Sequence, residues 1–124
     1  PDACCALRKV RPLEPALEGF DAWITGRKRF HGGARMSLPV FEFASGRYKV
    51  NPLANWTPDD VELLIKQRNL PRHPLVAQGY PSIGCWPCTK PSDNPDDPRA
   101  GRWAGQAKSE CGLHVEKTER PRVF

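Results

Sequence analysis

Proline constrains this chain more than any other residue type. Fourteen of its 124 residues are proline, more than twice the share of an ordinary protein. Each lacks an N–H and holds φ near one value, so it interrupts helices and is confined to the edges of sheets. Regular elements must therefore be short and loops many. At 39% hydrophobic and 27% charged residues, the chain fits one small domain or part of a larger one. A chain of this size buries proportionately little surface, so a cofactor, a partner or further sequence has to compensate. It begins at Pro1, without Met and just ahead of a cysteine pair, and reads as a piece of a longer protein. No stretch approaches the roughly 18 apolar residues of a membrane span. No charged start leads into an apolar run, and a cytoplasmic location is expected.

Between the prolines, a few elements are legible. Residues 12–19 (PLEPALEG) suit a short helix ending at Gly19, and Ala22–Thr25 and Leu38–Phe43 suit buried strands. Lys49 and Val50 suit a further short strand after the turn at Gly46. The clearest helix starts with Thr57 as N-cap, Pro58 in the first position and Asp59 and Asp60 in the first turn. Its apolar face is Val61, Leu64 and Ile65, and Pro71 ends it near Asn69. His73–Gly79 suits one more helical turn with a glycine cap. From Tyr80 onward, Gly, Pro, Ser and Asp predict loops.

The net charge of +5 is unevenly spread. Basic residues gather toward the two ends, in RKVR, GRKRF and RAGR, while the middle is slightly acidic. Guanidinium groups in such clusters form paired hydrogen bonds to phosphate or sulfate oxygens. Nucleic acid is a rival partner, and a solvated basic face is the plain structural explanation.

The five cysteines are Cys4, Cys5, Cys85, Cys88 and Cys111. Their odd number, the missing secretion signal and the strain of bridging neighbouring cysteines all argue against a disulfide scaffold. The adjacent pair and the CxxC pair suit metal. Zinc takes four thiolates, usually from two CxxC knuckles, whereas an iron-sulfur cluster offers neighbouring thiolates separate irons. Spacing alone leaves both open. Cys111, in ECGLH, stands apart among polar and basic neighbours that favour a thiolate, although an idle surface thiol would look the same.

Several segments together are distinctive: CCALRKVRPL (4–13), AWITGRKR (22–29), KVNPLANWT (49–57), LVAQGYPSIGCWPCT (75–89), DPRAGRW (97–103) and ECGLH (110–114). In this order they resemble the assimilatory adenylyl-sulfate reductases of the phosphoadenylyl-sulfate reductase family, over nearly the whole chain. The resemblance implies that Cys4, Cys5, Cys85 and Cys88 hold a 4Fe-4S cluster and that Cys111 is the nucleophile. It places Lys9, Arg35, Arg99 and Arg102 around the phosphosulfate and the cluster, with His114 as a further substrate contact. The stretch from Gly26 to Arg35 departs from the family pattern: it is one residue shorter, with His31-Gly32-Gly33 where a Gln-Ser pair is common.

The implied fold is α/β, the C-terminal part of a Rossmann-like adenine-nucleotide α-hydrolase-like domain with an iron-sulfur loop. Residues 1–103 would form this portion and residues 104–124 a mobile tail carrying Cys111. The family's phosphate-binding half has no counterpart here. The implied reaction, in assimilatory sulfate reduction, converts adenylyl sulfate to sulfite and AMP with electrons from thioredoxin or a similar dithiol. The cysteine quartet favours adenylyl sulfate over its 3′-phosphorylated form. No nucleic-acid or membrane partner is expected, and a homo-oligomer is left open. Two competing readings are a zinc-binding nucleic-acid module using the four tryptophans and an inactive cluster-binding domain. The first leaves ECGLH unexplained.

Overall fold

The computed structural model describes residues 1–114. The chain divides into two compact units, one of Pro1–Phe20 with the segment that starts at Glu110, the other of Asp21–Ser109. Residues 115–124 of the expected tail lie outside the described residues.

In the first unit, the helix expected over 12–19 is the end of a longer helical segment. It comprises α1 (Asp2–Cys5), a π-helical turn (Ala6–Val10) and α2 (Arg11–Ala16). Nothing between Asp2 and Arg11 breaks a helix. Pro12 falls in the opening turn of α2, where a missing N–H costs least. The wider turn closes with the Arg11 N–H donating to the Ala6 carbonyl.

The second unit holds a three-stranded sheet of β1 (Ala22–Ile24), β2 (Phe41–Ala44) and β3 (Arg47–Val50), in the order β1-β3-β2. The β2–β3 hairpin turns through Ser45 and Gly46, with φ of 53° and 74°. Positive φ at both central residues suits the twist of the flanking strands. β1 pairs with β3 in parallel. The strand expected from Leu38 begins only at Phe41. The Leu38 N–H donates to Arg35 at 3.0 Å, which keeps Leu38 in the preceding turn, and Pro39 has no N–H to offer a ladder.

Buried strands are the expectation from sequence, and here the structure differs. Ile24, Phe41, Phe43 and Tyr48 are all more than half exposed. The covered face of the sheet is polar. Trp23, Lys49 and Glu42 lie opposite one another across the three strands, with Lys49 Nζ 5.4 Å from the Trp23 ring centre and 3.7 Å from the Glu42 carboxylate. Asn51, just after β3, is fully buried. Its amide donates to Glu42 at 2.6 Å and to the Pro39 carbonyl at 2.9 Å, and its oxygen accepts from Arg27 at 3.1 Å and from the Thr25 hydroxyl. Arg27 also pairs with Glu42. Two buried cations thus share one carboxylate. Burial pushes the Glu42 carboxyl up, but the Asn51 hydrogen bond, Lys49 and Arg27 outweigh it and hold the group below its usual value.

Helix α3 (Pro58–Gln67) forms as expected. The Thr57 hydroxyl accepts from the Asp60 N–H, and the Asp60 carboxylate accepts from the Thr57 N–H at 2.8 Å, which satisfies two donors of the open helix end. Val61, Leu64 and Ile65 are its half-buried face. A 3-10 turn at Pro74–Gln78 ends at Gly79, in the left-handed conformation. Beyond it, irregular backbone carries one 3-10 turn, Trp86–Cys88. No helix among the described residues is long and apolar enough to cross a membrane.

Candidate active site

The first unit gathers the adjacent cysteine pair, Lys9 and the expected nucleophile. Cys4 is exposed on α1 and Cys5 is buried. Lys9 is half-buried in the π-helical turn. Cys111 and His114 are half-buried near the end of the described chain. Gly112, at φ 90°, follows Cys111. A Cβ built on it would sit 3.3 Å from the Val10 methyl. The ECGLH segment, about a hundred residues downstream, therefore lies against the helical segment that bears Cys4, Cys5 and Lys9. Positive φ and the close approach both favour glycine.

The second unit joins the CxxC turn to the RAGRW segment. Cys88 N–H donates to Cys85 O at 2.9 Å, and the Thr89 hydroxyl donates to the same carbonyl at 3.0 Å. Thr89 and Arg102 form a β-bridge, and the Trp103 N–H donates to Cys88 O at 3.0 Å. Gly101 allows this pairing, because a Cβ there would overlap the Lys90 carbonyl.

Around this junction stand three cations. Arg102, Lys108 and Arg99 lie 4.6, 5.8 and 5.9 Å from the Trp103 ring centre. The electron-rich indole face offsets part of their repulsion. Trp103 is 3% exposed and has φ 52°, a conformation that costs an aromatic residue about 1 kcal/mol or more. Burial and the bond to Cys88 hold it there. Arg99 Nη2 donates to Ser109 O at 2.6 Å and Arg102 Nη1 to Ile83 O at 3.1 Å.

Arg35 ends a 3-10 turn, Gly33–Arg35. Its Nη1 lies 3.0 Å from His31 Nδ1. Arginine has only donors, so a hydrogen bond between them requires Nδ1 to accept. The Lys28 ammonium is held below its usual value, by burial first and then by Arg35. Residues 26–35 thus concentrate positive charge, with Arg27, Lys28, Arg29 and Arg35.

None of the five cysteines is in a disulfide. Among the described residues, no three His, Cys, Asp or Glu side chains gather as ligands of one metal ion. The donors nonetheless suit an iron-sulfur group. The cysteines form two thiol pairs, and two buried donors, Arg102 Nε and Trp103 Nε1, lack an acceptor among the described residues. Both belong to the segment bonded to the CxxC turn, where an electron-rich sulfur group would satisfy them.

The buried set of Thr25, Arg27, Glu42 and Asn51 escaped sequence reasoning. Only NPLAN, an Asn followed by Pro directly after a strand, hinted that a polar side chain there ends the ladder. Trp103 was legible as an aromatic but not as the centre of a cation cluster.

Residues 2–91 match the phosphoadenosine phosphosulfate reductase domain. The chain is 52% identical over 118 residues to an adenosine 5′-phosphosulfate reductase of Mesorhizobium japonicum, covering 95% of this chain and 46% of that protein. It is 49% identical over 117 residues to the enzyme of that name from Mycobacterium tuberculosis, covering 93% and 46%. The chain thus spans about half the length of the curated relatives it matches. The crystal structure of phosphoadenylyl-sulfate reductase from Candida auris, a phosphate complex, superposes with a TM-score of 0.57 at 37% identity, over 68% of this chain and 41% of that one. Fold, motifs and sequence agree, and the chain belongs to the phosphoadenosine phosphosulfate reductase family.

Proposed function

We propose that this chain is the part of an adenylyl-sulfate reductase that carries the reacting cysteine, and that it works with the family's phosphate-binding half to release sulfite and AMP. The observation that carries this reading is the seating of ECGLH against the helical segment of Cys4, Cys5 and Lys9 through Gly112 and Val10. That contact puts the thiol in the same unit as a cation suited to the substrate. The names of the relatives support adenylyl sulfate as that substrate.

In this mechanism the Cys111 thiolate attacks the sulfur of adenylyl sulfate. The sulfur–oxygen bond breaks, AMP leaves with its electron pair, and an S-sulfocysteine remains on Cys111. A dithiol of the thioredoxin kind then attacks Sγ of Cys111 and expels sulfite. Its second thiol resolves the mixed disulfide, so the dithiol supplies both electrons. A thiolate meeting a dense anion needs cations to lower the repulsion. Lys9, Arg35, Arg99 and Arg102 supply them, and His114 contacts the substrate. Cys4, Cys5, Cys85 and Cys88 would hold a 4Fe-4S cluster, which when bound supplies structural and electrostatic support rather than electrons. The expected setting is an adenine-nucleotide α-hydrolase-like domain. The likeness to the Candida auris enzyme makes phosphoadenylyl sulfate the second reading of the substrate.

The test joins this chain to a matching phosphate-binding half and supplies adenylyl sulfate without dithiol. One turnover is expected, with a sulfite-sized mass added to the peptide containing Cys111. Cys111→Ser should keep nucleotide binding and lose sulfite formation by at least a thousandfold, because an alcohol is far less ionised than a thiol near neutral pH. An adduct elsewhere, or an active Cys111→Ser protein, overturns the mechanism.

A further inference from the structure

Trp103 sits where the backbone disfavours an aromatic residue. Its φ of 52° lies in the left-handed region, which Gly, Asn or Asp adopts far more readily. The position nonetheless holds the bulkiest of side chains and buries it to 3% exposure. Bonds on both sides of the residue fix it: its N–H donates to Cys88 O at 3.0 Å, and its carbonyl accepts from the Gln106 N–H at 2.9 Å. Backbone strain persists only where the surroundings over-determine it, and here it points to a task for the indole.

The partners of that indole are cations. Nε1 has no acceptor among the described residues. The ring instead meets the Arg102 guanidinium at 4.6 Å, Lys108 Nζ at 5.8 Å and the Arg99 guanidinium at 5.9 Å from its centre. Tryptophan offers cations the most attractive of the aromatic faces. The hydrogen bonds of the two guanidiniums run to the Ser109 and Ile83 carbonyls, which orient a cation without neutralising it. Arg102 is half-buried, its Nε has no acceptor, and it has no ion pair among the described residues. A cation held in this way is poised for an anion that is not part of the chain.

We propose that Trp103 is a positioning residue: its indole face holds Arg102, Arg99 and Lys108 together as one cluster, so that the phosphosulfate of adenylyl sulfate meets cations already in place. This reading rests on the proposed function and adds Lys108 to the cations of the site. Buried as it is, Trp103 acts through the cations and does not touch the anion. Ordering a long side chain on binding costs free energy, and the indole removes that cost by ordering the arginines beforehand.

The test joins the chain to a matching phosphate-binding half and carries Cys111→Ser, so that adenylyl sulfate is bound but not consumed. Trp103 is replaced through nonsense suppression by mono-, di- and trifluorotryptophan, which withdraw electron density from the ring face and change its shape little. Calorimetric titration with adenylyl sulfate should show affinity falling step by step, about tenfold over the series, at an unchanged melting temperature. Fluorination makes the indole N–H a stronger donor, so a task carried by Nε1 would move affinity the other way. With Arg102→Met, the same series should span no more than about threefold, because the ring has lost its nearest cation. If the trifluoro residue unfolds the protein, the nearly isosteric monofluoro residue decides. Failure of the tryptophan parent to bind adenylyl sulfate overturns the proposed function and this inference with it. Binding that ignores fluorination or strengthens with it, or a gradient left intact by Arg102→Met, overturns this inference alone.

Discussion

The guanidinium of Arg102 occupies the space that a side chain on Gly84 would need. A Cβ there would overlap Arg102 Cζ and Nη2, and Nη1 of the same group donates to the neighbouring Ile83 carbonyl at 3.1 Å. The glycine ahead of the CxxC turn thus fixes where a cation of the proposed site stands. The loop and the cation are one construction, although eighteen positions separate them in sequence.

Gly84→Ala should therefore act on anion binding more than on stability. The methyl would displace the far end of a flexible side chain, which moves without unfolding the loop. In the completed enzyme, affinity for adenylyl sulfate should fall about tenfold or more, the worth of one hydrogen bond to a charged group, roughly 1.5–3 kcal/mol. Calorimetric titration measures it. Thermal melting should shift little. Unchanged affinity would show that Arg102 has no part in binding.

Gly101→Ala should do the reverse. The new Cβ would meet the Lys90 carbonyl, a backbone atom, so the Lys90–Gly101 pairing, N···O 2.9 Å, must open. Overpacking of this kind costs about 1–3 kcal/mol, and the lost pairing adds to it. A lowered melting temperature checks this, with Gly105→Ala as a comparison, where no atom lies within 4 Å.

Glu42 should make the second unit sensitive to acid. Its folded pKa is depressed, with burial opposed and outweighed by Asn51, Lys49 and Arg27. Its contribution is therefore present above the unfolded value, about 4.3, and is lost as pH falls through the lower folded value. Glu42→Gln should remove this acid sensitivity. At neutral pH it should cost about 3–5 kcal/mol, because Arg27 and Lys49 stay buried without their counter-charge. Denaturant melts between pH 3 and 7, a span chosen to bracket the ordinary Glu titration, measure both effects.

Anaerobic preparation should yield brown protein with about four irons and four sulfides per chain, as four thiolates on one cluster require. Cys85→Ser or Cys88→Ser should bleach it. Iron and acid-labile sulfide assays decide, and stoichiometric zinc without sulfide would refute the cluster assignment.

Local structure was legible where local chemistry decides it. Thr57, Pro58 and the two following aspartates specify the start of α3 because capping is settled within one turn of chain, and the same holds for His73–Gly79. The cysteine pairs at 4–5 and 85–88, and Cys111 apart from them, are visible in the sequence because a thiol is identified by residue type alone, whatever role it takes. The helical segment from Asp2 leaves no mark in the sequence at its start, because no side chain caps it there.

By itself, the sequence determined the family, the short elements between prolines and the chemical inventory of five thiols and clustered cations. Tertiary structure alone decided which face of each strand is covered. Alternation in FEF and AWI marks two faces but not their fates, and Arg27, Lys49 and Asn51 become interior only because Glu42, Thr25 and the Pro39 carbonyl satisfy them there. It also decided that Gly112 meets Val10, and that Arg102 reaches the CxxC turn over Gly84. Contacts between residues so distant in the chain leave no local periodicity, because they depend on which surfaces the fold brings together.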